Sequence, residues 1–490
     1  MKILFLDDYH IERIDNLVRK MHQPERFPGN AVIRPEYRWE NMTCQIRNTP
    51  VWDSEESVYK MIYAGKAEVL EQEQDVDQTG NAPKTIAVCY ATSKDGVNWE
   101  KPFLGMYDYP GLNWDGTRIG TDNNIIRDGA SLFTVSDPNA EDPKQRFKGV
   151  IYRDKALHPI ASPDHIQWKE LGYPPCPTAD QAHFTYDAEN GVFIATVKHA
   201  GPYGRSWFVT TSDDFQNWSE QIMVFHADQV DQENGFERLQ RFFDDPAYLT
   251  PVYNRPEEWR TDVYNYPVFP YEGLYIGMPV MHHWSGKHPP LYENVDSRKS
   301  VELTCSRDLI NWKRVANRAL FQELAPVGDG ANYDTGQIQN SNGPIVRGDN
   351  LYFYYSGLRA RSSTVAESIN RGGLDGGAIC MARLRIDGFV SLKGGIEPGS
   401  VTTKPVEIEG SKLHANLDAW RGEVRTEILD PEEDRPLSGF GLDESIPASV
   451  DDVDVPLRWK DQADLSSLLG RKVRLRFHLL HGELYAFWFE

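Results

Sequence analysis

At 490 residues, the chain is too long for one ordinary core, and two or more structural units are expected. Hydrophobic residues make up 40% and charged residues 26%, a soluble globular balance, and no run approaches the roughly eighteen apolar residues of a membrane-spanning helix. The formal net charge of −21 speaks against a nucleic-acid partner, since phosphate binding is driven by cationic surface, and it ordinarily serves solubility.

In chain order, the run Met1 to Leu6 gives way to Asp7-Asp8 and is too short for a secretory signal. A cytoplasmic protein is expected, or a periplasmic or secreted one where a leader has been removed. No membrane contact is expected. The segment Lys2 to Leu6 reads as a strand, expected to close a ring by pairing with the last repeat described below. Residues 9–24 carry Ile11, Ile14, Leu17, Val18 and Met21 at helical spacing, which predicts a short amphipathic helix.

The pattern Ser-x-Asp-x-x-x-Trp then recurs four times: Ser93/Asp95/Trp99, Ser162/Asp164/Trp168, Ser212/Asp214/Trp218 and Ser306/Asp308/Trp312. Composition alone would produce about 0.1 such matches. A degenerate fifth copy, Asp387-Gly388-Phe389, puts Phe where Trp would stand. An alternating strand precedes each copy, and an aromatic-rich strand such as Leu351 to Tyr355 precedes that. Ser and Asp bond local backbone in tight turns, leaving the Trp to pack between sheets. A small sheet of this kind cannot bury its faces alone, and radial stacking of such sheets makes a propeller.

Five blades are read at about 30–100, 105–170, 178–228, 260–315 and 330–395. The insert from Gln229 to Trp259 suits a loop or helix near the propeller mouth. After the Gly- and Pro-bearing stretch from Gly394 to Lys404, Val424/Thr426/Ile428 and Val473/Leu475/Phe477/Leu479 alternate with charged residues or His478, as half-buried strands do. The expected fold is all-β: an N-terminal strand and helix (1–29), a five-bladed β-propeller carrying any catalysis (30–395), and a C-terminal β-sandwich (405–490). The five cysteines fit no zinc spacing and read as buried free thiols.

These turns, the five-fold repeat and the C-terminal sandwich resemble the invertase-like and arabinanase-like glycoside hydrolases, families 32, 43, 68, 117 and 130, and their uncharacterised bacterial relatives. Further features of the resemblance are Phe5-Leu6-Asp7-Asp8-Tyr9, Trp39-Glu40-Asn41, Ser306-Arg307-Asp308 and Asp387-Gly388-Phe389. The family 32 motif Trp-x-Asn-Asp-Pro is not among them, because Met42-Thr43 follows Asn41. The resemblance implies that each blade's innermost strand opens into an axial funnel, and that the activity is cleavage of glycosidic bonds in a plant or algal glycan or its oligosaccharides.

Such cleavage needs two carboxyl groups about 5–9.5 Å apart with pKa values driven apart. Acids opening the first strands are the candidates. Glu40 is expected as base or nucleophile, with Asp180 or Asp262 supplying the acid or a pKa-setting carboxylate. Trp39, Asn41, Asp122, Asn123, His183, Tyr264, Asp334, Gln337 and Gln339 are expected to bind sugar. Arg205, with Lys198 or Arg127, would take an anionic group on the sugar. Rival readings are a polysaccharide lyase using His183, His199 or Tyr264, a phosphorylase, and a sugar-binding propeller without catalysis. No cofactor or metal is expected, although a structural cation at the axis stays compatible with the sequence. No phosphate-cradling Gly loop and no Gly-x-Ser-x-Gly elbow occur, which sets aside nucleotide and esterase chemistry.

Overall fold

The structure, a computed structural model, describes residues 1–68, 84–129, 132–180, 182–287, 295–328, 330–359, 375–462 and 464–490. It is all-β, with one α-helix, Gln229–Asp244, among the described residues.

The repeated turn is built as its residues dictate. In all four copies the Ser hydroxyl donates to the Asp carboxylate at 3.0 Å. The same Asp oxygen accepts the backbone N–H groups two and three residues on, at 2.7–2.9 Å. Wrapping the backbone around the carboxylate puts the residue after Asp at positive φ: Gly96 at 71°, His165 at 68°, Phe215 at 61° and Leu309 at 65°. Only the first copy places glycine there, so the other three carry the steric cost of a left-handed residue.

The turns aim their aromatic side chains at the preceding sheet. Strands Thr43–Gln45, Val51–Asp53, Val58–Glu68, Lys84–Ser93 and Ile125–Asp128 form the first group. The second runs from Leu132–Ser136 through Phe147–Arg153 and Ala156–Ser162 to Lys169–Glu170. The third is His183–Asp187, Val192–Gly201, Gly204–Ser212 and Ile222–Phe225. Trp168 of the second group packs with Ile62, Val88 and Tyr90 of the first, and Trp218 of the third packs with Phe133 and Val150 of the second.

The fourth group is split into two sheets. Arg260–Asn265, Val280–Lys287 and Val295–Val301 pair on one side, and Val268–Tyr271, Leu274–Gly277, Thr304–Ser306 and Lys313–Arg314 on the other. Pro267 and Pro279 stand at the breaks, where neither offers an N–H to a ladder. Trp312 of this group packs with Ile194, Trp207 and Val209 of the third. The fifth group is Gln337–Arg347, Asn350–Leu358 and Gly377–Arg385, completed by Glu25–Ile33 from the N-terminus. Its Phe389 meets Tyr271 of the fourth group edge-on at 5.2 Å, and Trp99 of the first meets Tyr354 of the fifth at 6.1 Å. Every joint in the cycle is thus filled by the same kind of side chain. The first strands follow the same order, and Thr49 Oγ closes the circle by donating to the Gly343 carbonyl at 2.6 Å.

The N-terminus departs from expectation. Residues 9–24 hold two strands, Ile11–Asp15 and Leu17–Met21, hinged at Asn16 with φ 50°. They pair with Gly399–Thr403 and Val390–Gly394. A helix would have buried Val18 on the apolar face, yet it is 67% exposed; two short strands around a turn had imitated the helical period. The strand at Ile3–Leu4 joins Glu483–Phe489, not the fifth group, which is closed by Glu25–Ile33 instead. Arg26 and Asn30 hold that closing strand through Asp334, each at 2.8 Å.

The C-terminal strands lie in two sheets, one ordered around Glu483–Phe489 and one around Lys472–Leu480, with the N-terminal strands at their edges. Leu413, Val424, Leu475, Phe477 and Phe487 share one buried cluster with residues of both sheets. Val390–Gly394 belongs here, so the fifth group ends at Arg385 rather than near 395. All five cysteines are free and buried.

Phe389 is fully buried, and Phe389→Ala should cost about 3–5 kcal/mol in urea unfolding. Exposed Val18→Ala should change stability by no more than about 0.5 kcal/mol; equal losses at both positions would contradict the joint described here.

Candidate functional site

Because the first strands run side by side around the ring, their two ends open onto different surroundings. The later halves line a cavity of about 260 Å³ whose walls include Thr49, Thr134, Thr185, Tyr271 and Asn342, and no carboxylate. The acid-base groups collect where the strands begin.

There Arg260–Asn265 presents Asp262 and Tyr264. Asp262 is 1% exposed; its two oxygens face Arg205 Nη1 at 2.8 Å and His282 Nδ1 at 2.9 Å. Arg205 comes from the neighbouring group, brought close by Gly204 at φ 106°, where a Cβ would lie 3.1 Å from Asp262 Oδ2. Burial alone would raise the Asp262 carboxyl, but His282 and Arg205 outweigh it and hold it down at about 2, so it is ionised at neutral pH. Burial brings His282 down to about 4 against the pull of Asp262. The imidazole is therefore neutral, and its partners assign Nδ1–H to Asp262 and leave Nε2 for the Ser297 hydroxyl at 2.8 Å.

Tyr264 is the centre of a cationic group. Lys299 Nζ lies 3.3 Å from its ring centroid, Lys198 Nζ 5.0 Å and the Arg205 guanidinium 5.8 Å. Arg47 acts on the same phenol, and burial pushes its own guanidinium down. Lys198 bonds Asp180 at 2.8 Å; burial lowers its pKa and Asp180 opposes the shift. Lys299 donates to Gln337 Oε1 at 2.7 Å, and Gln339 Nε2 reaches the same oxygen at 3.3 Å. Burial first, then Arg47, Arg205 and Lys198, drive the Lys299 amine well below its ordinary pKa. His183 stands beside this group, bonded to Asn342 at 3.1 Å and brought down to about 3 by burial.

The structure thus brings together Asp180, His183, Arg205, Asp262, Tyr264, Gln337 and Gln339. It does not bring Glu40 with them. Glu40 is fully buried in the first group, where Lys101 at 2.6 Å and Tyr63 at 2.7 Å take its oxygens and the Glu36 N–H adds a third bond at 3.1 Å. Glu40 is thus held within the first group, apart from the groups around Tyr264. Trp39 is no stacking platform: it is stacked on Tyr37 at 4.5 Å, with its N–H bonded to Asn124. Asn41 is buried alongside, its carbonyl accepting from Asp375 N–H. Asn123 caps its own turn through Tyr107, Gly120 and Ile125, and Asp122 is exposed on that turn. Asp334 anchors Arg26, Asn30 and Tyr355. His199 is tied to Gln221, and Arg127 to the Asp128 carbonyl.

The sequence reading missed Arg47, His282's partnership with Asp262, and above all Lys299. Asp296-Ser297-Arg298-Lys299-Ser300 lies in a strand buried along its whole length, and five consecutive polar residues in a core strand were the available signal. Among the described residues no group of three His, Cys, Asp or Glu side chains is arranged to hold a metal, and no helix is long and apolar enough to cross a membrane.

The molecule is therefore an all-β protein with a charged, hydroxyl-competent cluster at one end of its ring of strands. No protein-family model and no curated protein matches the chain. Similar solved structures include an exo-β-1,3-galactanase from Phanerochaete chrysosporium, 12% identical over 94% of this chain and 99% of that one, with a TM-score of 0.37. A glycosyl hydrolase from Bacteroides ovatus is 12% identical over 76% and 97%, with a TM-score of 0.41. An N-acetylgalactosamine deacetylase from F. plautii is 14% identical over 70% and 94%, with a TM-score of 0.35. None of these likenesses bears on the chemistry of this chain.

Two outcomes follow from the geometry. Glu40→Gln should lose about 3 kcal/mol of stability, because it leaves Lys101 buried with half-exposed Glu36 alone; folded variant should retain any turnover the native protein has. For pH, His165 and His183 are held near 3 and His282 near 4 by burial, whereas an unfolded histidine titrates at about 6.5. Between about pH 6.5 and 4 the unfolded chain binds more protons, so stability falls as pH falls. Urea midpoints at pH 7 and pH 5 should show that loss, and His183→Gln should make it shallower; an unchanged slope would mean His183 is charged in the folded protein.

Proposed function

We propose that this chain is a five-bladed propeller enzyme that cleaves glycosidic bonds in a plant or algal glycan or its oligosaccharides, at the end of the ring that holds Asp180 and Asp262. One observation carries the reading: two carboxylates, one deep and ionised and one half-exposed, both act on Tyr264, beside a pair of buried amides. Hydrolysis needs that division of labour. One acid protonates the departing glycosidic oxygen, while a carboxylate on the other side activates water or attacks the anomeric carbon. Asp262, held ionised, suits the second role. Asp180, half-exposed on Lys198, is the carboxylate left for the first. Gln337 and Gln339 offer amide bonds to sugar hydroxyls, and Tyr264 offers a ring face.

A second reading is favoured by the cations around Tyr264. In β-elimination from a uronic acid, a cation neutralises the carboxylate while a base removes the neighbouring proton, and Tyr264 with Lys299 at 3.3 Å from its ring fits that pair. The two readings differ in their product: hydrolysis leaves two saturated ends, elimination one unsaturated uronic end that absorbs in the ultraviolet.

Asp262→Asn and Asp180→Asn should each lower turnover by about 10²–10⁴-fold on a glycan cleaved by the native protein, with KM changed far less. Native rates in both variants would remove hydrolysis by this pair. Retained cleavage in both, with ultraviolet-absorbing product and loss in Tyr264→Phe, would establish elimination.

A further inference from the structure

The chain carries a formal charge of −21, yet its candidate site concentrates cations. Arg47, Lys198, Arg205 and Lys299 surround Tyr264, against Asp180 and Asp262. Those two carboxylates are already engaged, Asp180 by Lys198 and Asp262 by Arg205 and His282. Four basic side chains are fully buried among the described residues: Lys60, Lys198, Arg298 and Lys299. Lys60 has Asp53 and Glu56, Lys198 has Asp180, and Arg298 has Asp296. Lys299 alone has no carboxylate within ion-pair distance among the described residues; its one bonded acceptor is the neutral amide of Gln337.

Burying an amine without a counter-charge disfavours its charged form, and a fold that has paired its other buried basic groups leaves this one without a carboxylate beside its candidate site. The neighbouring amide adds a second, independent sign. Gln339 is 4% exposed, and its Oε1 has no hydrogen-bond partner although its Nε2 is bonded to Gln337. An acceptor left open next to an amine without a counter-charge fits a ligand bearing a hydroxyl and an anionic group together.

We propose, resting on the glycan-cleaving reading above, that the substrate is an acidic sugar, bearing a carboxylate or a sulfate ester, and that Lys299 with Lys198 and Arg205 binds its anionic group. The anion supplies the counter-charge that the fold withholds from Lys299, through charge-assisted bonds. Neutral sugars bring no counter-charge, so discrimination in favour of acidic ones comes from the pairing of their anion with these desolvated basic groups.

The test is calorimetric titration of the full chain with glucuronate, galacturonate and galactose 6-sulfate, against glucose, galactose and sodium sulfate. The matched acidic sugar should bind at least about 10–100-fold more tightly than its neutral partner, and the carboxylate and sulfate arms tell the two acids apart. Lys299→Met should erase the difference while raising the urea midpoint, because it removes a buried amine that no carboxylate offsets. Lys198→Met, which frees half-exposed Asp180, should weaken acidic sugars more than neutral ones. Equal affinity for acidic and neutral sugars, binding of none of them, sodium sulfate binding as tightly as the acidic sugars, or a preference retained in Lys299→Met would overturn the proposal. The glycan-cleaving reading fails separately: if native protein cleaves neutral glycans and Asp262→Asn abolishes it, that reading stands while the acidic substrate falls.

Discussion

A small antiparallel sheet of alternating strands has two faces to cover, and here each sheet is covered by its neighbours in the cycle. What seals the joints is the aromatic side chain at the end of each Ser-x-Asp turn. Trp168 reaches back to the cluster holding Ile62, Val88 and Tyr90, Trp218 to that holding Phe133 and Val150, Trp312 to that holding Ile194, Trp207 and Val209, Trp99 onto Tyr354 and Phe389 onto Tyr271. The turn holds that side chain in place by wrapping backbone N–H groups around one carboxylate, a geometry that three of the four full copies adopt without glycine at the left-handed residue. Packing gained at the joint outweighs the local strain, since aromatic burial brings more than a left-handed residue costs.

A cycle of this kind has to be closed, and closure is made by chain from the far end. Glu25–Ile33 supplies the outer strand of the last group, so the N-terminus is drawn across the ring, and Asp334 fixes it through Arg26 and Asn30. The residues before it, no longer needed for closure, add edge strands to the C-terminal sheets. Asp334 is as buried as Glu40, and both act as structural counter-ions within their own groups.

Asp262 is buried to the same degree but stands where the first strands begin, between an arginine from the next group and a histidine from its own sheet. The carboxylates therefore differ in place. Glu40 and Asp334 are held by neighbours within their own groups. Where the first strands begin, Asp262 is held by Arg205 and His282, and the surplus of cations around Tyr264 leaves Lys299 bonded only to an amide.

Strand periodicity and the four turns were legible from the residues, because both are set by neighbours close in sequence: alternation by the two-residue pleat, the turn by Ser and Asp bonding their own backbone. So were the C-terminal strands around Val424 and Val473 and the burial of the cysteines. The helix read at 9–24 was not, since Ile11, Ile14 and Leu17 satisfy either a helical face or two short strands, and only the partners at Val401 and Gly394 decide between them. Acids at strand openings were visible as a set, but which of them share an end of the ring was not. Glu40 and Asp262 look alike in sequence, and Lys299 sits in a segment with no motif. Whether a charge faces a counter-ion or an open site depends on side chains tens to hundreds of residues away, and that pairing exists only once the sheets have closed around one another.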